Sequence, residues 1–90
     1  MLSSETGPAY LHRIDATRNM ARFYSLSIQP TLFGGASLIR NWGRIGTNGQ
    51  AKVETFDDPQ EVEGAFLRLE RAKRRRGYVD PRATGADLPR

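Results

Sequence analysis

Ninety residues, with fourteen Lys and Arg against ten Asp and Glu, make one small basic domain of net charge +4. The lack of cysteine excludes a disulfide framework and thiolate chemistry, and fits a reducing compartment. The single histidine, His12, has no convergent ligand set, so no metal is expected, and no apolar run approaches the roughly 20 residues of a membrane span.

The opening MLSSETGPAY has neither a basic n-region nor an apolar h-region, so it does not read as a secretory signal, and a cytoplasmic protein is expected. Residues 1–8 show no periodicity and read as a flexible tail. The stretch AYLHRID then alternates, with Tyr10, His12 and Ile14 on one face and Leu11 and Arg13 on the other, which predicts a short strand. After a turn at ATRNM, ARFYSLSIQ sets Phe23, Ser25 and Ser27 against Tyr24, Leu26 and Ile28. That is the pattern of a half-buried antiparallel strand, which Pro30 ends. The loop PTLFGGAS follows, and its Leu32 and Phe33 are expected to dock on the sheet as a satellite cluster. Residues 37–46 and 50–56 predict the third and fourth strands.

From Asp57 the apolar period changes from two to 3.6. Asp57 or Asp58 supplies an N-cap and Pro59 suits the first turn. Val62, Ala65, Phe66, Leu69 and Ala72 form one apolar stripe, and Gly77 behind the run KRRR offers a C-cap. The expected fold is α+β: a small antiparallel sheet of about four strands with one C-terminal amphipathic helix packed on one face. It occupies residues 9–79, with a flexible C-terminal tail over 80–90.

The third strand carries the only tryptophan, inside RNWGRIGTNGQ. Ile39, Asn41, Gly43 and Ile45 share one face; Leu38, Arg40, Trp42 and Arg44 share the other. A two-residue turn at Asn48-Gly49 would mix charge and aliphatic groups on both faces. A three-residue loop, Thr47-Asn48-Gly49, pairs Ile45 with Ala51, Gly43 with Val53, Arg44 with Lys52 and Trp42 with Glu54. On that reading the face of Ile39 and Gly43 receives the helix, and Arg40, Trp42, Arg44 and Lys52 lie on the other. Gly43 then leaves backbone open to a ligand. Alternation alone leaves Trp42 open to two roles, a packing residue or a recognition residue.

The signature WGRIGTNGQ, the upstream strands RFYSLSIQPTLFGGASLIRNWGR and the downstream helix AFLRLERAKRRRGY together resemble the WGR domain family. The likeness covers residues 10–78 and is nearest to small bacterial single-domain members. The family also occurs in poly(ADP-ribose) polymerases, where it binds near a DNA end. There the signature Trp packs on a terminal sugar and the signature Arg contacts DNA and neighbouring domains. By resemblance those roles fall to Trp42 and Arg44, and that of a DNA-approaching lysine beyond the hairpin to Lys52. The chain is too short to carry the polymerase's catalytic domain as well.

The expected function is a non-catalytic nucleic-acid-binding module without sequence specificity, with DNA ends or backbone as the ligand. Twelve of the fourteen basic residues are arginine, whose fork suits phosphate and whose plane stacks on bases. Arg40, Trp42, Arg44 and Lys52 are the candidate contacts, with Arg74, Arg75 and Arg76 at the helix end, in a run that also holds Arg68, Arg71 and Lys73, as an accessory phosphate patch. For that patch the plainer role is a solvated face that complements the negative helix terminus. The alternative function is a protein-interaction module using the same Trp/Arg face. No nucleophile–base pair and no phosphate loop opening a helix is present, so neither catalysis nor a cofactor is expected. The pattern leaves open DNA or RNA, and the oligomeric state.

Overall fold

The computed structural model describes residues 7–82; residues 1–6 and 83–90, most of the two expected tails, lie outside the described residues. Four strands, β1 (Ala9–Asp15), β2 (Met20–Pro30), β3 (Ala36–Arg44) and β4 (Gln50–Phe56), form an antiparallel meander in the order β1-β2-β3-β4. The helix α1 (Pro59–Arg75) follows. Sheet and helix ends follow local chemistry. Asp58 caps α1, its carboxylate accepting from the Gln60 amide at 2.9 Å, and Pro59 opens the first turn. At the other end the Tyr78 amide donates to the Lys73 carbonyl at 3.1 Å and the Gly77 amide to Arg74 at 3.0 Å. Gly77 takes a φ of 99°, so the helix closes in a left-handed turn as expected of a glycine there. Beyond it, Val79 pairs with His12 of β1 and ties the chain back to the sheet.

The core lies between α1 and one face of the sheet. Leu11, Leu26, Leu38 and Val62 are the largest fully buried side chains, joined by Tyr24, Ala36, Ala65, Phe66 and Tyr78. This corrects the expected helix-bearing face. The helix covers the side of Ala36, Leu38, Arg40 and Trp42, and the side of Ile39, Asn41 and Val53 lies uncovered, with Val53 60% exposed. The reason lies in β2 and in the first half of β3. Tyr24, Leu26 and Ile28 sit across from Trp42, Arg40 and Leu38, so the bulk of the apolar area is on this side even though β3 ends in charge. Arg40 and Trp42 sit at the margin of the helix, half-buried.

The β3–β4 hairpin also differs from expectation. Trp42 faces Gln50, Arg40 faces Lys52 and Ile39 faces Val53, so residues 45–49 form the loop instead of Thr47-Asn48-Gly49 alone. Relative to the expected pairing of Trp42 with Glu54, the shift is an even number of residues, so the division of each strand into faces survives while every partner changes. The loop folds back because Ile45 donates its amide to Ala21 of β2 at 2.8 Å and Thr47 is tied to the Arg44 carbonyl. Gly49 then lies directly against Gly43: a Cβ on Gly43 would stand 2.7 Å from the Gly49 Cα. The backbone at Gly43, expected to be open to a ligand, is therefore occupied by the chain's own loop. Phe23, on the uncovered face, is buried beside these glycines and stacks on Tyr10 at 6.1 Å.

Leu32 and Phe33 do not dock on the sheet. Each is 95% exposed, because the Thr31 amide bonds to the Gly35 carbonyl and turns the tip outward. Among the described residues no helix is long and apolar enough to cross a membrane, and no three His, Asp or Glu side chains gather as metal ligands.

Candidate nucleic-acid interface

The strand register brings arginines together where α1 ends. Arg13 pairs with Arg22, and Arg22 with Arg44, so three arginines lie in one row across β1, β2 and β3. Like charges directly opposite one another destabilise a sheet, and folding alone does not call for such a row. The next row inward is Leu11, Tyr24 and Trp42, and the one after it ends in Leu26, Arg40 and Lys52.

Lys73 comes down on these rows from the last turns of α1. Its ammonium lies 4.6 Å from the centre of the Tyr24 ring and 5.3 Å from that of Tyr78, and the two rings meet edge to face. Burial, and then the charges of Arg76, Arg22 and Arg40, push the Lys73 ammonium below the ordinary value of 10.5. The sign for stability follows. Above the lowered value the unfolded chain binds more protons than the folded one, so folding gains as the pH climbs toward 10.5. The parent protein should therefore gain stability relative to Lys73→Met between pH 7 and about pH 10, as read by urea unfolding of the two at each pH. A constant difference would show that Lys73 feels no such field.

Two clefts open on either side of the Trp42–Lys73 pair. The larger, about 460 Å³, is lined by Arg18, Asn19, Arg22 and Arg44 in addition to that pair. The smaller, about 280 Å³, lies between α1 and the sheet and is lined by Tyr24, Arg40, Leu69, Ala72 and Arg76 along with the pair. Among the described residues no carboxylate lines either one. Within the smaller cleft Arg40 stands over the Trp42 ring at 5.9 Å, a cation–π distance. In the larger, Arg44 donates to the Asn19 carbonyl at 3.2 Å and to its side-chain oxygen at 3.4 Å. Asn19 is itself left-handed at φ 52°, so Arg44 braces the β1–β2 turn as well as facing the cleft.

The family model of the WGR domain matches residues 7–85. The chain belongs to the WGR domain family. The domain is associated with nucleic-acid binding in proteins resembling poly(ADP-ribose) polymerases. An uncharacterized Sinorhizobium fredii protein, y4dW, is 47% identical over 78 residues, which is 87% of this chain and 38% of that protein. The Escherichia coli protein YehF is 37% identical over 46 residues, covering 51% of this chain and 17% of its own length. Among solved structures, a Bacteroides fragilis protein superposes with a TM-score of 0.70 at 29% identity, over 81% of this chain and 19% of that one. This WGR domain thus spans well under half the length of each of these relatives.

Within the WGR domain the expected contacts divide. Arg40, Trp42 and Arg76 line one cleft, and Arg44 joins them across Trp42 in the other. Lys52 stands across the strand from Arg40 but lines neither cleft. Arg74 is drawn away into an ion pair with Glu70 at 3.0 Å, and Arg75 lines neither cleft. Arg22 and Arg13 are not among the expected contacts, and Lys73 is expected only as one cation of the basic helix run. For Lys73 the signal is its spacing, seven residues beyond Phe66 and four beyond Leu69, which sets a cation on the buried stripe. For Arg13 and Arg22 the signal is their pairing across the β1–β2 hairpin. Trp42 packs against the core and lines both clefts.

Proposed function

We propose that this WGR domain is a non-catalytic nucleic-acid-binding module that grips the phosphate backbone, DNA being the expected ligand, without reading sequence. The observation that carries this is the arginine row Arg13–Arg22–Arg44 beside two clefts that share Trp42 and Lys73 and that no carboxylate among the described residues lines. Phosphates relieve the repulsion of such a row, and an aromatic side chain among the cations gives a sugar or base a face to lie on. Arg40, Arg44 and Arg76 are the proposed phosphate contacts and Trp42 the stacking one, with Lys52 at the margin. Among the described residues α1 packs along the sheet and no helix projects from the face to enter a groove, which argues for backbone contact over base readout.

A salt titration tests it. Binding of the chain to a labelled duplex and to a labelled single strand should weaken linearly on a log–log plot, each phosphate contact adding a slope of about −0.7 to −0.9. Three or more contacts give a slope of about −2 to −3 or steeper. A flat dependence, or no binding to either at low salt, overturns the proposal. Capture of an acidic protein that survives nuclease and is lost in Arg44→Ala would instead favour a protein-interaction module.

A further inference from the structure

Two residues that line the smaller cleft each carry a buried polar atom with no hydrogen-bond partner among the described residues. The Tyr24 hydroxyl and the Arg40 Nε are both closed off from solvent and make no hydrogen bond, and Tyr24 as a whole is only 3% exposed. Buried groups of this kind are nearly always bonded, and leaving one unmade is costly. They belong to residues of one cleft, beneath a lysine whose charged neighbours, Arg76, Arg22 and Arg40, are all cations.

The cleft is divided by chemistry. Trp42, Leu69, Ala72 and the Tyr24 ring supply flat and apolar surface, while Arg40, Lys73 and Arg76 supply positive charge. At about 280 Å³ it is near the lower end of small-ligand sites, room for one nucleotide. A duplex cannot enter, since its bases are stacked inside and only its backbone is presented.

We propose that the cleft between α1 and β2–β3 takes one unpaired nucleotide. Its base lies against Trp42 and Leu69 and its phosphate among Arg40, Lys73 and Arg76, so that the domain prefers single-stranded nucleic acid to blunt duplex. The Lys73 side chain, flexible and laid over the Tyr24 ring, swings aside to let an acceptor on the nucleotide reach the hydroxyl. This rests on the nucleic-acid reading above and names its substrate class.

The test uses the whole chain and four labelled ligands at one salt concentration: a mixed-sequence 12-mer as single-stranded DNA, the same sequence as RNA, its blunt duplex, and the duplex with a 3′ overhang. Anisotropy gives the affinities, and the fluorescence of Trp42, the only tryptophan, reports stacking. At least one of the single strands should bind about tenfold tighter than the blunt duplex and quench Trp42, the overhang restoring affinity to the duplex. Whichever single strand does so identifies the sugar. Tyr24→Phe keeps the ring under Lys73 and removes only the hydroxyl; it should lose about fivefold on the single strand and little on the duplex. Its melting temperature separates a binding loss from a folding loss. Leu69→Gln, on the apolar wall, gives a second variant should Tyr24→Phe fold poorly, with the same selective loss expected. Equal affinity for strand and duplex, or equal loss on both in the folded variants, overturns this inference and leaves backbone binding standing. Absence of binding to all four overturns both.

Discussion

Gly49→Ala is expected to lower stability by about 3 kcal/mol, through a strained backbone and an overpacked contact. For a domain of this size that corresponds to a fall in melting temperature of roughly 15 °C. Two costs combine. Gly49 sits at φ 68°, a left-handed conformation that an L side chain resists. Its added methyl would also stand 2.2 Å from the Trp42 carbonyl oxygen and 2.8 Å from the Phe23 ring. Neither backbone nor ring can yield cheaply, since Trp42 is held in β3 between β2 and β4 and Phe23 is buried. Gly46→Ala separates the two costs. Gly46 has φ 96° but nothing within 4 Å of the added methyl, so only conformational strain remains, about 1–2 kcal/mol. Thermal unfolding of the two variants beside the parent measures the difference. If both lose the same, the close approach of Gly49 to Trp42 and Phe23 does not hold the loop. Gly43 and Gly49 of the WGR signature are, on this structure, packing residues: they let the loop lie flat on β3 and fix the strand that carries Trp42 and Arg44.

That contact explains what sequence could and could not tell. The strands, the Asp58 cap, the apolar stripe from Val62 to Ala72 and the Gly77 stop are written in local spacing, and each stands close to where the spacing puts it. The family signature was legible for the same reason, as a contiguous run. The hairpin register was not, because it is decided by Gly43, Gly49, Phe23 and Ala21, which are remote in sequence. The covered face was misjudged because the charges of β3 stand in its second half, while Ala36 and Leu38 in its first half complete the floor that Tyr24 and Leu26 begin. Arg40, Trp42 and Arg44 share one face by alternation along β3 alone, and because the register shift is even, Lys52 on β4 keeps its side too. That face proved to be the one beside the helix, which is how Lys73 and Arg76 come to join them. A candidate site drawn on an open sheet becomes a cleft with two walls.

The two-walled cleft is lined by the two ends of KRRR, Lys73 and Arg76, and not by its middle pair. Replacing Arg40 and Arg76 together by glutamine should weaken nucleic-acid binding about a hundredfold, and replacing Arg74 and Arg75 together only severalfold. The net charge falls by the same amount in each, so long-range attraction changes equally and only local contact separates them. Arg40 and Arg76 line the cleft from the sheet and from the helix, whereas Arg74 is already paired with Glu70 and Arg75 lines neither cleft. A charged hydrogen bond is worth about 1.5–3 kcal/mol, so two lost contacts amount to about 3 kcal/mol, or about a hundredfold. Glutamine keeps part of the Arg40 stem against Trp42, and Arg76 is exposed just beyond α1, so both variants should fold. Anisotropy titrations at two salt concentrations give a second readout. The salt slope of the Arg40/Arg76 variant should become shallower by about 1.4–1.8, two contacts' worth, and that of the Arg74/Arg75 variant should hardly move. Equal losses in the two variants would mean that the basic run acts as a diffuse field, with no phosphate held between helix and sheet. Unequal losses in the expected order would place the ligand in the cleft that Trp42 and Lys73 divide.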